Sequence, residues 1–285
     1  MTFKTSRRPP IGLIRGSLAA LISALALTSL GSCQSTSNVS PSCDLRAAPR
    51  GYEARIPFYD ACLASSSLSP LDRAVAYTGR GTAKLMLARD KTGKDAALAD
   101  FDEAIRLRPS GGWARIGRGQ IFQLRDELSE ARADFDAALA GGTVAEQSEA
   151  YFYLGYIDAE QSKWAAAVQD FEDARRLRPG LSGAGSAEAL LLATCPDAYI
   201  VDAARAETLA REDIRLNSQS PFEFESLGAA HAREGQFEQA TTELQTAIEK
   251  DRSGPDTKSG IRFRRALALV QSRQPLTYGP EMWAR

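Results

Sequence analysis

One histidine and four cysteines carry most of the reactive chemistry in this chain of 285 residues. His231 is the only imidazole, so a Ser-His-Asp or Cys-His nucleophile would have to use it. It falls where the surrounding pattern wants a large packing residue, and a structural histidine is the reading. Cys33, Cys43, Cys62 and Cys195 form no Cys-x-x-Cys and no Cys/His spacing of the zinc-binding kind, so no metal is expected. Gly93-Lys94 lacks the glycine five residues earlier that a phosphate loop needs. Gly183-x-Gly185 has no third glycine and follows no strand pattern. Acidic residues recur beside arginines, as Glu103 does with Arg106, which reads as solvated helix surface rather than a paired acid and base. No catalytic residue and no cofactor is assigned, and the chain reads as a non-enzyme.

Cys33 raises a separate question: plain thiol, disulfide half or lipid attachment point. Residues 1–15 carry Lys4, Arg7, Arg8 and Arg15 and no acid, and residues 17–30 (SLAALISALALTSL) carry no charge. A basic stretch, a short apolar run and then small residues is the layout of a secretory signal. The run is short of the roughly 20 apolar residues that span a bilayer. A buried N-terminal helix is the alternative, and Pro9-Pro10 with the all-positive flank suits it less well. Leu30-Gly31-Ser32-Cys33 resembles the bacterial lipobox. That resemblance implies cleavage before Cys33, which then carries a diacylglyceryl group and an N-acyl chain. Several acyl chains anchor stably where one binds marginally. Gln34, rather than Asp, implies by the same resemblance the outer membrane, with the protein facing the periplasm.

Removing the signal segment 1–32 takes away four positive charges and moves the formal charge from −1 to about −5. A mildly acidic chain lacks the basic patch that phosphate binding requires, so no nucleic-acid partner is expected. With Cys33 acylated, Cys43, Cys62 and Cys195 remain, an odd number that in an oxidising compartment suggests one pair and one free thiol. Cys43 and Cys62 sit close together at the N-terminal edge and are assigned as the pair. Closing a loop of that size contributes about 3 kcal/mol in the chain-entropy treatment.

The elements that hold these residues come from a repeat. DFDEAIRLRP at 100–109 and DFEDARRLRP at 170–179 nearly quote each other, and DFDAALAGG lies between them at 134–142. Ala167, Phe171 and Ala174 share one helix face at i, i+4 and i+7. Upstream, Tyr151, Leu154, Gly155 and Asp158 mark a second helix, and Pro179 stops the unit. Residues 148–181 thus resemble a tetratricopeptide repeat, with its W-x2-L-G-x2-Y, A-x3-F, A and P positions spread over 34 residues. Tyr151 replaces the first Trp, and Asp158 replaces the second Tyr. Small residues allow the two helices of a pair to cross closely, and Phe171 fills the space toward the next unit.

The same template places units at 74–111, 112–145, 187–220 and 221–254. The first has about four extra residues, RDKTGKD, assigned to its inter-helix loop. The fourth is the poorest, with Thr194 at the glycine position, Asp213 at the third small position and Pro196 cutting its first helix. SGAGS at 182–186 reads as a long turn or a hinge. The resemblance implies an all-α, right-handed α-solenoid of about five helix-turn-helix units. Caps are expected at both ends: a helix within 56–73 centred on PFYDACLA, and an amphipathic helix in 255–285 with Ile261, Phe263, Leu267 and Val270. Residues 33–55 form a tether and N-terminal loop.

In the tetratricopeptide fold the first helices line a concave groove. Register puts Trp113, Ile116, Gln120, Glu149, Phe152, Tyr156, Glu188, Leu191, Phe222, Glu225 and Arg233 there, and several of these pack between units in the alternative reading. Aromatic residues flanked by Glu and Gln suit a peptide with apolar anchors and some positive charge. Cys195 lies one unit before His231 in the template, on the groove side, which leaves a Cys-His pair for the structure to decide. The resemblance implies a membrane-anchored adaptor or scaffold for a partner protein or peptide in envelope assembly or secretion. Alternatives are a self-assembling structural protein, a homo-oligomer, or a subunit of an envelope enzyme.

Overall fold

The computed structural model describes residues 43–217 and 220–279. The signal segment 1–32, Cys33 and the tether 34–42 lie outside the described residues. Twelve α-helices and no strand occur among the described residues. They are α1 (Tyr52–Ala64), α2 (Pro70–Leu87), α3 (Lys91–Leu107), α4 (Gly112–Leu124), α5 (Leu128–Gly141) and α6 (Val144–Glu160). The chain continues through α7 (Trp164–Leu177), α8 (Ala184–Thr194), α9 (Ala203–Asn217), α10 (Pro221–Arg233), α11 (Phe237–Lys250) and α12 (Lys258–Gln271). Each helix packs on its sequence neighbours, and the first helices of successive pairs also touch: α2 with α4, α4 with α6, and α8 with α10. This is an all-α helical repeat.

The repeating contact is a phenyl ring against a helix that has no side chain to receive it. A Cβ added at Gly119 would lie 2.7 Å from the Phe135 ring, and one at Gly155 would lie 2.7 Å from the Phe171 ring. Phe101 sits 3.0 Å from such a Cβ at Gly81 and 2.3 Å from one at Gly117, so its ring fills the space between its own pair and the next. Ala97, Ala131, Ala167 and Ala240 are fully buried on the matching faces of the second helices. The N-terminal α1 copies the device, because a Cβ at Gly79 would fall 2.3 Å from Tyr59.

The turns inside pairs are equally regular. Asp126, Ser162 and Gly235 each take a left-handed backbone, with φ of 64°, 59° and 78°. Their N–H groups return to Gln123, Ala159 and Ala232, and the next residues bond Phe122, Asp158 and His231, closing Schellman motifs. Three residues suffice for each of these turns.

Several boundaries differ from the sequence reading. RDKTGKD is not a loop: Asp90 accepts from Gly93 N at 2.9 Å and starts α3 at Lys91, so the extra residues lengthen a helix. SGAGS is neither turn nor hinge beyond its first residues, because Gly183, at φ 86°, is the N-cap and α8 begins at Ala184. The first cap starts earlier, at Tyr52, with Pro57 inside it, and α2 begins at Pro70. The fourth unit takes its extra length in the segment 195–202 that joins α8 to α9. Asp213 meets Gly185 and Ser186, so Ala210, one turn before it, faces Ala189. Ala189, not Thr194, therefore occupies the small position. In the final cap Phe263 and Val270 are buried, whereas Ile261 is exposed.

Cys43 and Cys62 form the expected disulfide, with Cα atoms 4.9 Å apart. Both are buried with Leu45, Tyr59 and Leu68 in a small cluster that seals the first unit. Among the described residues Cys195 is a free thiol.

The ring-to-glycine contact gives a direct test. Gly155→Ala must push into Phe171, and overpacking of this kind costs about 1–3 kcal/mol, which outweighs the gain in helix propensity of about 1 kcal/mol. Gly141→Ala, with no atom within 4 Å of the added Cβ, has no such cost. Urea unfolding followed by circular dichroism should show loss for the first variant only; equal midpoints would remove the contact from its central place.

Candidate functional site

All eleven residues expected on the groove lie on first helices, yet most are closed to a partner. Ile116, Phe152 and Leu191 are at most 1% exposed and pack in the main core. Phe152 lies edge-on to Tyr156, with centroids 5.1 Å apart, and Tyr156 in turn meets Phe171 at 5.4 Å. These are packing residues, so their expected role in binding is corrected. Arg233 is corrected as well: its Nε donates to Ala193 O at 2.7 Å and Nη2 to Cys195 O at 3.3 Å. It thereby caps the C-terminal end of α8, where a cation is favoured.

The three inner-face glutamates are spent too. Glu149 accepts from Arg178 at 3.2 Å. Glu188 accepts from Arg175 at 3.2 Å and also from Arg205. Glu225, fully buried, accepts from Arg262. Burial drives the carboxyls of Glu188 and Glu225 above the usual range, and the paired arginines act against it. Glu149, Glu188 and Glu225 offer a basic peptide no unpaired carboxylate, so the expected preference for positive charge is withdrawn.

Two expected residues keep something to offer. Trp113 Nε1 and Gln120 Nε2 are buried donors with no acceptor among the described residues. They stand seven residues apart on one stripe of α4, about 10 Å along the axis. Phe222 is the most exposed of the set, at 39%, although Arg262 lies over its ring at 5.3 Å.

Sequence reasoning missed the last elements on this face. Beyond α12 the chain leaves in extended form, and Leu276 and Tyr278 turn inward to 0% and 5% exposure. Tyr278 N donates to Thr194 O at 2.9 Å, and its hydroxyl donates to Glu225 Oε1 at 3.1 Å. The signal was present in Pro-Leu-Thr-Tyr, where large and small residues alternate with the period of an extended strand.

Solved structures share the helical-repeat fold. Over 72% of this chain and 91% of its own, PilF of Pseudomonas aeruginosa superposes with a TM-score of 0.54 at 18% identity. A tetratricopeptide repeat protein from Parabacteroides merdae covers 78% of this chain and 81% of its own, with a TM-score of 0.53 at 16% identity. Yeast Tom70 covers 79% of this chain and 45% of its own, with a TM-score of 0.54 at 20% identity. The fold is that of a tetratricopeptide solenoid. No protein-family model matches the sequence, and no curated protein is similar to it by sequence.

His231 is 2% exposed, and Arg211, which has only donors, lies 3.3 Å from Nε2. Glu207 Oε1 lies 3.6 Å from the same nitrogen, and Nδ1 has no partner among the described residues, so no Cys-His pair forms with Cys195. Burial also raises the Cys195 thiol above its ordinary value, against a nucleophilic role. No described helix is long and apolar enough to cross a membrane.

Two acids are held in unusual states. Asp100 and Asp134 each receive an arginine from the first helix of their own pair, Arg80 and Arg118. In the third unit Leu154 stands at that arginine position. Asp170, left without it and hydrogen-bonded to Asp158, is pushed up to about 7 by burial and by the Asp158 charge. Glu223, 1% exposed, is pushed up to about 7 by burial and by Asp213, against a backbone hydrogen bond at Ser220. Acids raised in the folded state bind protons that the unfolded chain has already lost. Stability therefore falls as pH rises from about 4.5 through about 7 and is flat above. Thermal unfolding should show a higher midpoint at pH 5.5 than at pH 8, and Asp170→Asn with Glu223→Gln should flatten most of that slope. A slope unchanged in the double variant would place the effect elsewhere.

Proposed function

We propose that the chain is a non-enzymatic adaptor that holds an extended segment of a partner protein on its inner face while anchored to the cell envelope through Cys33. The observation that carries the binding reading is that α4 has three unspent buried donors, Gln123 Nε2 among them, of which two stand on the expected groove stripe. Trp113 Nε1 and Gln120 Nε2 are buried without acceptors among the described residues, and a buried donor left unpaired costs about 1–3 kcal/mol. Backbone carbonyls of an extended peptide, spaced about 3.3 Å per residue, could meet both donors with two residues between them. The anchoring reading is supported by the signal layout and by the small residues before Cys33. A disulfide next to the tether fits an oxidising compartment such as the periplasm.

Photocrosslinking in living cells tests the surface. A photoreactive residue at Gln120 or Tyr156 should trap one discrete protein, whereas one at the exposed outer-face Gln169 should trap none. Adducts arising only from Gln169 would move the binding surface to the other side. For the anchor, Cys33→Ser should abolish incorporation of a labelled fatty acid and release the chain from the membrane fraction. Equal labelling of the variant and the parent would remove Cys33 from that role.

A further inference from the structure

The end of the chain behaves as a ligand bound to its own solenoid. Helix α12 closes with the same turn that ends the first helices: Arg273 has φ 55°, its N–H returns to Val270 at 2.9 Å, and Gln274 N returns to Leu269 at 3.0 Å. Within the units such a turn feeds a second helix. Here the chain leaves extended and crosses the inner face. Pro275 and Thr277 point to solvent, while Leu276 and Tyr278 are buried, the alternation of a docked strand. Its polar contacts are few and directional. Tyr278 N–H satisfies the carbonyl of Thr194, the last residue of α8, at 2.9 Å. The Tyr278 hydroxyl reaches Glu225 Oε1 of α10 at 3.1 Å, while Glu225 Oε2 is held by Arg262 of α12.

We infer that the inner face across α8, α10 and α12 is a binding site for an extended segment carrying an aliphatic residue and, two positions on, a tyrosine, and that residues 275–279 are its resting occupant. The incoming ligand is a partner-protein segment of that chemistry, which takes the site by displacing the tail. The inference rests on the adaptor reading of the inner face.

Three features argue that the occupant is exchangeable. Glu225 and Arg262 stay paired when the tail leaves, so no lone charge is stranded. The tail has no regular secondary structure after Ser272, and its backbone bond to Thr194 can be made by any extended chain. The apolar floor is already formed by α8, every residue of which is buried. Selection for tyrosine follows from Glu225 Oε1: a phenylalanine fills the same space and leaves that buried oxygen without its donor. Selection against basic side chains follows from Arg262, whose guanidinium sits beside the same carboxylate.

The test uses the whole chain and a fluorescent synthetic peptide of the tail sequence RQPLTYG as probe. The parent protein should bind the probe weakly, because its own tail competes. The variant Leu276→Ser/Tyr278→Ala, checked for parental helicity, should bind it at least about tenfold more tightly, and a probe with Phe in place of Tyr should lose about tenfold or more. A second measurement needs no variant. The Tyr278 amide, protected by its bond to Thr194, should exchange faster with solvent when unlabelled probe is added in excess to the parent. A well-folded variant that binds no better than the parent, together with Tyr278 exchange unmoved by the probe, overturns the inference. If photo-adducts from Gln120 and Tyr156 persist in that case, the adaptor reading survives and only the tail site falls. Probe binding without any inner-face adduct in cells would fail the adaptor reading instead.

Discussion

A phenyl ring can sit between two crossing helices only where the helix it meets presents no Cβ. That constraint recurs at Gly81 with Phe101, Gly119 with Phe135 and Gly155 with Phe171, and the rest of the solenoid is arranged around it. It fixes the distance within each pair, and therefore the buried alanines that face the ring. It also fixes how far Phe101 reaches into the next unit, where it meets Gly117. In the fifth unit Leu244 takes the ring's place against Gly228, and the three-residue turn is kept. The fourth unit has Ala210 in the ring's place and a longer connection between its helices, and its first helix is buried on every side. The first helices α8 and α10 close on each other there, so the open groove expected of a uniform stack narrows to a slot filled by the chain end.

The polar groups follow a second rule: the inner-face acids are neutralised from within. Glu149, Glu188 and Glu225 each hold an arginine, and all three are nearly or wholly buried. Such pairs are weak evidence for stability, since desolvation offsets much of the attraction. Their effect is on recognition. A surface whose charges are already matched selects by shape, apolar contact and single hydrogen bonds rather than by sign. On the proposed reading, the unpaired donors of Trp113 and Gln120, and the carboxylate oxygen that Tyr278 reaches, matter more than the acidic composition of the face.

Much of the architecture was legible because its signals are short and local. The A-x3-F spacing, the glycine on the partner helix and the stop at Pro109 or Pro179 each sit within one unit, so five pairs could be placed from sequence. The Cys43–Cys62 bridge was equally accessible, since both residues lie near one end. The failures share a cause. Burial of Ile116, Phe152 and Leu191 depends on how closely successive units approach, which register within one unit cannot report. The pairing of Glu225 with Arg262 joins residues in α10 and α12. Asp213 reads as a poor match to a small position, yet it accepts from Ser186 N and Oγ, both at 2.8 Å, and starts α8. The role of a misfit residue became visible only with its partner helix in place.

A linear repeat ordinarily has neighbours only next door, so its parts can melt one after another from either end. The extended segment after α12 breaks that locality. By touching α8 and α10 at once, Tyr278 staples the last five helices into a loop, and no member of that loop can leave without opening the strap. The first three pairs keep the serial character of an ordinary array, sealed at their outer end by the disulfide cluster. Unfolding is therefore expected to divide between a front half that yields by increments and a rear half that yields as one block. A partner that draws the strap away would return the rear half to the serial regime, so occupancy of one narrow slot sets how the whole far end of the chain responds to load.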